Sequence, residues 1–499
     1  MMKRFTVYLL IFVLCTSFSS QAYAEADLSQ EVVFADPNLE TAIKSLLNKT
    51  SEESVVKSDL ETLTDVDLSN KKIKNLQGLE YAANVTQLNL SYNEIADISS
   101  LKELSKIRSL NLRENQISSI EDLSAMKELE SLYIPWNQIS SLEVLKQLPS
   151  LRVLFANNNQ ISNIHGLSDA VEMTFLDLSS NQIEDIEPLG KLTKLTNLYV
   201  GNNQIHDISP LRLLSTNLTT LSVDNNKVAD FTPLAELVNL TTLSIGGNKI
   251  TDLKPLAGLV KLGSLNASNN IIKDLAPLSR LVGLSQLSLS SNLIYDLEPL
   301  RNMKGLVALY LSNNRVWDLE PIQNIEFDSS IEYFHGVELY NNNLDLSQGT
   351  QTSKIFIKVN GISDLEKVKK SQRKTQRLVI GSTTAYVGER AYRITTAPFT
   401  NMNRTYVPIR FISEKFGANV GWNQSTKEVT IRKNDTTIRW ALGNRQVRVN
   451  QQTVLFDAPL LARNNTTFVP IRFVSEQFNA SVEYLGSKKM VIIFENNKI

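Results

Sequence analysis

With 499 residues, 42% of them hydrophobic and 21% charged, the chain is long enough for two or three domains and has the composition of an ordinary soluble protein with a core to bury. Its 51 Lys and Arg nearly cancel its 52 Asp and Glu. The single cysteine, Cys15, excludes disulfides, a cysteine nucleophile and a zinc-thiolate site from anything that remains once the first segment is removed.

That first segment carries Lys3 and Arg4 ahead of an apolar run from Phe5 to Phe18, with Ala22-Tyr23-Ala24 behind it. This is the layout of a secretory signal over residues 1–24, cleaved before Glu25. The run is shorter than the roughly 20 residues a bilayer-spanning helix needs, so no integral membrane segment is expected after cleavage. Leu14 precedes Cys15 where a lipoprotein signal has a small residue, which argues against a lipid anchor. Secretion or cell-surface association in a bacterium, with a single membrane, is the expected location.

Residues 25–62 read as a helical cap. Asp36-Pro37 opens a helix whose apolar face is Leu39, Ile43, Leu46 and Leu47. From residue 63 to about 350 one template recurs, with apolar residues at positions 1, 4, 6, 11, 14, 17 and 20 and Asn at position 9. Copies start at Leu63, Val85, Ile107, Leu129, Leu151, Met173, Leu195, Leu218, Leu240, Leu262, Leu284, Leu306 and Phe334, spaced by 22 residues apart from one extra residue before Leu218 and a longer insertion before Phe334. Position 9 is Asn in 12 copies, from Asn93 to Asn342, and Lys71 in the first.

Such a period is the signature of a leucine-rich repeat solenoid, in which each coil covers its neighbour's apolar stripe. Positions 3 to 7 are expected to alternate as a short strand, with 4 and 6 inward and 3, 5, 7 and 8 facing solvent. The Asn amide, with two donors and one acceptor oxygen, suits a turn whose peptide groups lose water, so its role is structural. From the sixth copy onward Asp stands at position 13 and Pro at 16, as Asp185 with Pro188 through Asp318 with Pro321. Seven aligned carboxylates suggest a cation site, but turn capping by Asp and helix opening by Pro explain them better.

The 22-residue "LxxLxLxxNxIxDIxPL" register behind a helical cap resembles the internalin-type leucine-rich repeat proteins of Gram-positive bacteria, over roughly Val32 to Lys370. The resemblance implies an α/β solenoid, a curved horseshoe, that binds macromolecules on its concave strand face and carries no catalytic residues. Along that face Tyr133, Trp136, Phe155, Phe175 and Tyr199 fall on four successive strands, about 4.8 Å apart. Exposed aromatic clusters are enriched in binding hot spots, though adjacent rings also simply shield one another. Tyr310 and Tyr340 form a second, sparser pair. Copies 8 to 11 present Ser, Thr, Gly and Asn, which offer little grip.

Residues 351–376 read as a C-terminal cap and basic linker; "DLEKVKKSQRKTQR" from Asp364 to Arg377 looks like a solvated linker or a cap edge. Residues 377–499 then hold a second repeat. "RTYVPIRFISEKFGANVGW" from Arg404 returns 62 residues later as "TTFVPIRFVSEQFNASVEY" from Thr466, and the second half ends in "KMVIIF". Each half reads as strands, a helix opening at Pro408 or Pro470, and a closing strand. This pair resembles the domain at the amino end of copper amine oxidases, a small two-repeat α+β module also attached to secreted proteins of spore-forming bacteria.

Copper chemistry does not follow. Redox copper needs imidazoles, and the three histidines, His165, His206 and His335, lie on different coils of the solenoid. No metal, cofactor or catalytic residue is expected, and the chain does not read as an enzyme. Arg410 with Glu414, and Arg472 with Glu476, sit four apart on a helix and are expected to pair.

Charge separates the two regions. Residues 364–499 carry 22 Lys and Arg against 10 Asp and Glu, whereas residues 25–363 carry 27 against 42. A basic module on an exported protein suits an anionic cell-wall polymer or lipid head groups; solubilising charge is the plain alternative, and no nucleic-acid motif is present. The expectation is a secreted or surface binding protein whose concave face takes a protein or glycan partner, with the basic domain as spacer or wall contact. The competing reading is a structural component of the envelope or spore coat without a specific partner. No Leu-Pro-x-Thr-Gly sorting motif is present, so covalent anchoring by that route is not expected.

Overall fold

The computed structural model describes residues 29–327, 336–361 and 363–495. The signal segment, Phe334 and His335 lie outside the described residues. The chain divides between Asn270 and Ile271 into two compact units. Thirteen short parallel strands follow one another in chain order, from β1 (Asp65–Asp67) to β13 (Val337–Glu338), ten in the first unit and three in the second.

The first unit opens with helix α1 (Pro37–Leu46), where Asp36 is the N-cap and accepts from the Asn38 N–H at 2.8 Å. Its buried face is Leu39, Ala42 and Ile43, narrower than the spacing predicts, because Leu46 ends the helix and stays exposed. The other Asp36 oxygen accepts from the N–H groups of Lys74 (2.6 Å) and Asn75 (3.2 Å), which ties the cap to the first coil. Burial raises the pKa of this carboxyl, but the N–H donors of Lys74, Asn38 and Asn75 outweigh it and hold the group below its usual range.

Each coil repeats one solution. Positions 4 and 6 are buried throughout the first unit, as Leu198 and Val200 are, and the return segment packs as short 3-10 turns such as Glu187–Lys191. The position 9 Asn is the joint between coils: Oδ1 of Asn203 accepts from Ile183 N–H of the preceding coil at 2.9 Å, while Nδ2 donates to Leu178 O (3.0 Å) and Val200 O (3.1 Å). Water is excluded there, so the amide satisfies peptide groups that would otherwise have no partner. The carboxylates at position 13 cap turns, since Asp185, Asp207, Asp230, Asp252, Asp274, Asp296 and Asp318 each accept from the N–H two residues on, at 2.8–2.9 Å.

Position 8 departs from the expected strand. Its residue has positive φ in all thirteen coils, from Asn70 (56°) to Asn341 (53°). Asn and Gly fill most of these sites because the left-handed region costs other residues roughly 1–2 kcal/mol. Trp136 (φ 58°) and Tyr92 (φ 58°) are exceptions, so Trp136 belongs to the turn after its strand and not to the strand itself.

In the second unit the last coils are followed by helices α2 (Gln351–Asn360) and α3 (Leu365–Ser371). The basic run packs on the last coils. Arg373 donates to Asn314 O (2.8 Å) and to Asn341 O, and the Arg377 guanidinium lies 4.4 Å from the ring centre of Trp317.

The remaining strands form a domain of two interlocked halves. β14 (Thr375–Val379), β15 (Thr384–Val387) and β16 (Arg390–Arg393) share a five-stranded antiparallel sheet with β26 (Ala480–Leu485) and β27 (Met490–Glu495) from the far end of the sequence. β19 (Asn419–Asn423) and β20 (Glu428–Lys433) join β21 (Thr436–Ala441), β22 (Gln446–Val449) and β23 (Gln452–Leu455) in its twin. β18 (Arg404–Pro408) and β25 (Thr466–Pro470) pair antiparallel with Val407 opposite Val469, residues 62 apart, so the halves are related by a local two-fold axis. Exchanging strands in this way makes neither half complete alone.

The twin sheets differ on their outer faces. In β27, Val491 and Ile493 enter the domain core, while Met490, Ile492 and Phe494 form a second cluster with Leu485 and Trp317, against which Tyr295 packs. Glu483 binds Lys273 (2.7 Å) and Arg315 (3.1 Å), and Lys488 reaches Asp318 at 3.3 Å. The domain is therefore docked on coil residues of its own unit. At the equivalent positions of β20 stand Glu428, Thr430 and Arg432, none of them buried.

Candidate functional site

The strand face of coils 4 to 7 carries four rings in a row. β4 (Ser131–Tyr133) and β5 (Val153–Phe155) bring Tyr133 opposite Phe155 in register, and their centroids lie 5.2 Å apart with planes 18° from parallel. β6 (Phe175–Asp177) places Asp177 opposite Phe155, yet the Phe175 ring leans across to stack on Phe155 at 4.5 Å and 27°. Tyr199 of β7 (Asn197–Tyr199) continues the row at 5.6 Å and 39°. All four residues are half-buried.

Trp136 was expected in this row and is displaced from it. Its backbone sits in the left-handed turn beyond β4 and the residue is 53% exposed. Tyr92 repeats the arrangement in coil 2, 46% exposed with the Arg113 guanidinium 5.4 Å from its ring centre. Sequence reasoning passed over Tyr92; the signal was a bulky residue where other coils have mostly Asn.

In the second unit Tyr310 ends β12 (Ala308–Tyr310) opposite Glu338, and burial with that carboxylate pushes its phenol pKa up. Tyr340 lies past β13 beneath the Lys367 ammonium, 5.2 Å from the ring centre. Each thus has a charged neighbour of its own.

The polar face of coils 8 to 10 is tied up internally. Asp224 accepts from Ser222 Oγ (2.7 Å), Ser244 Oγ (2.6 Å) and Gly246 N–H (2.7 Å), and Asn266 Nδ2 donates to Ser244 Oγ at 2.9 Å. Groups already bonded to one another contribute little to a partner. Among the described residues no three His, Cys, Asp or Glu side chains gather as metal ligands. His165 faces solvent with Nδ1 2.6 Å from Asn163 Oδ1. Arg410 and Glu414 pair at 3.5 Å.

Two family models match the chain. Leucine Rich repeats (2 copies) fits residues 83–125, 171–213 and 238–280, and Copper amine oxidase N-terminal domain fits 358–424 and 386–493. The crystal structure of an internalin (inlF) from Listeria monocytogenes str. 4b F2365 is 32% identical, covering 66% of this chain and 95% of that one, with a TM-score of 0.61. This chain belongs to the internalin-type leucine-rich repeat proteins. The chain is also similar in fold to the LRR protein LIC12759 of Leptospira interrogans, 23% identical, covering 54% of this chain and 73% of that one, with a TM-score of 0.51. A comparison with curated proteins gives no match.

Leucine-rich repeat proteins of the internalin type are in general protein-binding modules and not enzymes. The amine oxidase domain matched at the end of this one is not the catalytic domain of those enzymes. Among the described residues no helix is long and apolar enough to cross a membrane.

Proposed function

We propose that this internalin-type chain is a secreted or cell-surface binding protein, and that the ladder of Tyr133, Phe155, Phe175 and Tyr199, with Trp136 at its margin, docks a protein partner. The observation that carries the reading is the stacking itself. Successive rings 4.5–5.6 Å apart pack against one another, which engages their faces within the row. A sugar ring packs on a free aromatic face, whereas apolar side chains fit a ridge of packed rings, so the arrangement favours protein over glycan. Trp136 supports the same reading, because a bulky residue in a left-handed turn is an outlier of the kind that clusters at functional sites. The domain of residues 377–499 acts as the wall contact, docked on the last coils of its own unit and not on a loose tether.

The test replaces Phe155 by Ser and Trp136 by Ala together and measures retention of proteins from the bacterium's surroundings on the immobilised chain, with melting temperature recorded alongside. Retention is expected to fall about tenfold or more, the scale of losing two aromatic anchors. Undiminished retention by the folded double variant places the site elsewhere.

A further inference from the structure

The twin halves of the C-terminal domain offer two equivalent surfaces, and only one is used within the chain. The second half spends its edge on docking, through Glu483 and its ion pairs to Arg315 and Lys273. At the matching positions of the first half the sequence has Gly421 for Glu483 and Trp422 for Tyr484. On the opposite face of these strands, the side of Trp422 and Val429, the surface opens into a groove of about 700 Å³ that Ile394, Pro408 and Ile409 also line. Gly421 pairs with Thr430 on the outer face, so the docking carboxylate of Glu483 has no counterpart there, while Trp422 pairs with Val429 on the groove side.

We propose that this groove binds an anionic glycopolymer, a chain of sugars or polyols bearing phosphate, and is the site of the wall contact on which the proposal rests. Trp422 is 38% exposed at the groove, and its Nε1–H donates to Gln424 Oε1 at 2.8 Å, which fixes the indole as a platform for a sugar ring. Arg393, Arg410 and Lys427 line the groove against one carboxylate, Glu414. Arg410 is engaged by Glu414, while Arg393 and Lys427 have no ion pair among the described residues and meet the polymer's charge directly. Unlike the stacked rings of the solenoid, this aromatic belongs to a cationic cleft, the combination that suits alternating sugar and phosphate.

The experiment uses the full chain without its first 24 residues and measures its binding to immobilised poly(glycerol phosphate), with and without glucosyl substituents. Trp422→Ala is expected to weaken binding to the substituted polymer about tenfold while leaving the unsubstituted one within twofold, as loss of one stacking anchor would. Arg393→Ala with Lys427→Ala weakens both and flattens the salt dependence. Arg439→Ala with Arg448→Ala, which removes two charges from the outer face of the twin sheet, changes neither by more than twofold. Equal losses from the two double variants, or intact binding by both groove variants, overturn the groove as the site. No binding of either polymer by the unmodified chain overturns the wall contact itself.

Discussion

Phe494→Arg tests whether the docked face of β27 is what holds the C-terminal domain to the coils beside it. Phe494 is 1% exposed, with its ring 6.3 Å from that of Tyr295 and the Arg315 guanidinium 5.7 Å from its centre. Removing a fully buried ring costs ~3–5 kcal/mol. A second guanidinium in that place stands ~6 Å from Arg315, which adds ~3 kcal/mol of repulsion at an effective dielectric of about 20. Burial already pushes the pKa of Arg315 down, so that cation has little room to accommodate another.

A total of ~6–8 kcal/mol is on the scale of a whole domain's stability, so the contact opens. The domain itself should stay folded, because Arg432 occupies the same place on the twin sheet without harm. Calorimetry is then expected to resolve a separate transition for residues 375–495, and proteases to cut the strand entry near Arg373. A single transition at the unmodified midpoint would refute the argument.

Asn203→Ala should cost ~2–4 kcal/mol in denaturant unfolding, since it strands the Ile183 N–H and two carbonyls inside the coil joint; a loss below ~1 kcal/mol would deny the ladder its role. The Asp36 carboxyl, held below its ordinary range, stabilises the cap above the unfolded-state pKa, and that contribution should disappear as pH falls through the lower folded value. Asp36→Asn should therefore flatten the acid limb of a melting-temperature profile; an unchanged limb counts against it. Gly166→Ala places a Cβ 2.0 Å from Leu142 O, a backbone atom that cannot swing away, and should destabilise by ~2 kcal/mol or more on the same scale, whereas Gly258→Ala, with open space around its Cβ, should not.

The repeat was legible because one period imposes one solution. Leu at positions 1 and 4 and Asn at 9 recur whenever a coil must bury a stripe and satisfy its own turn, so strand, turn and ladder follow from spacing alone. Position 8 was misread as a strand position, although seven of its thirteen residues are Asn, the residue a left-handed turn favours. Of the aromatic row, Tyr133 and Phe155 followed from register. The lean of Phe175 toward Phe155 did not, because ring orientation is decided by neighbours on other coils.

The C-terminal domain divides in the same way. Its 62-residue duplication, two helices and basic charge are written in the chain, as is the difference between "KEVTIR" and "KMVIIF". Alternation in the first marks a sheet wet on one side, and the continuous apolar run in the second marks one covered on both. What covers it was decided only in three dimensions. The sequence by itself determined the coils, the cap helix and the twin halves, because local periodicity dictates them; the exchange of strands between halves, the docking on Trp317 and Tyr295 and the groove at Trp422 depend on surfaces brought together from distant parts of the chain, and no spacing encodes which faces will touch.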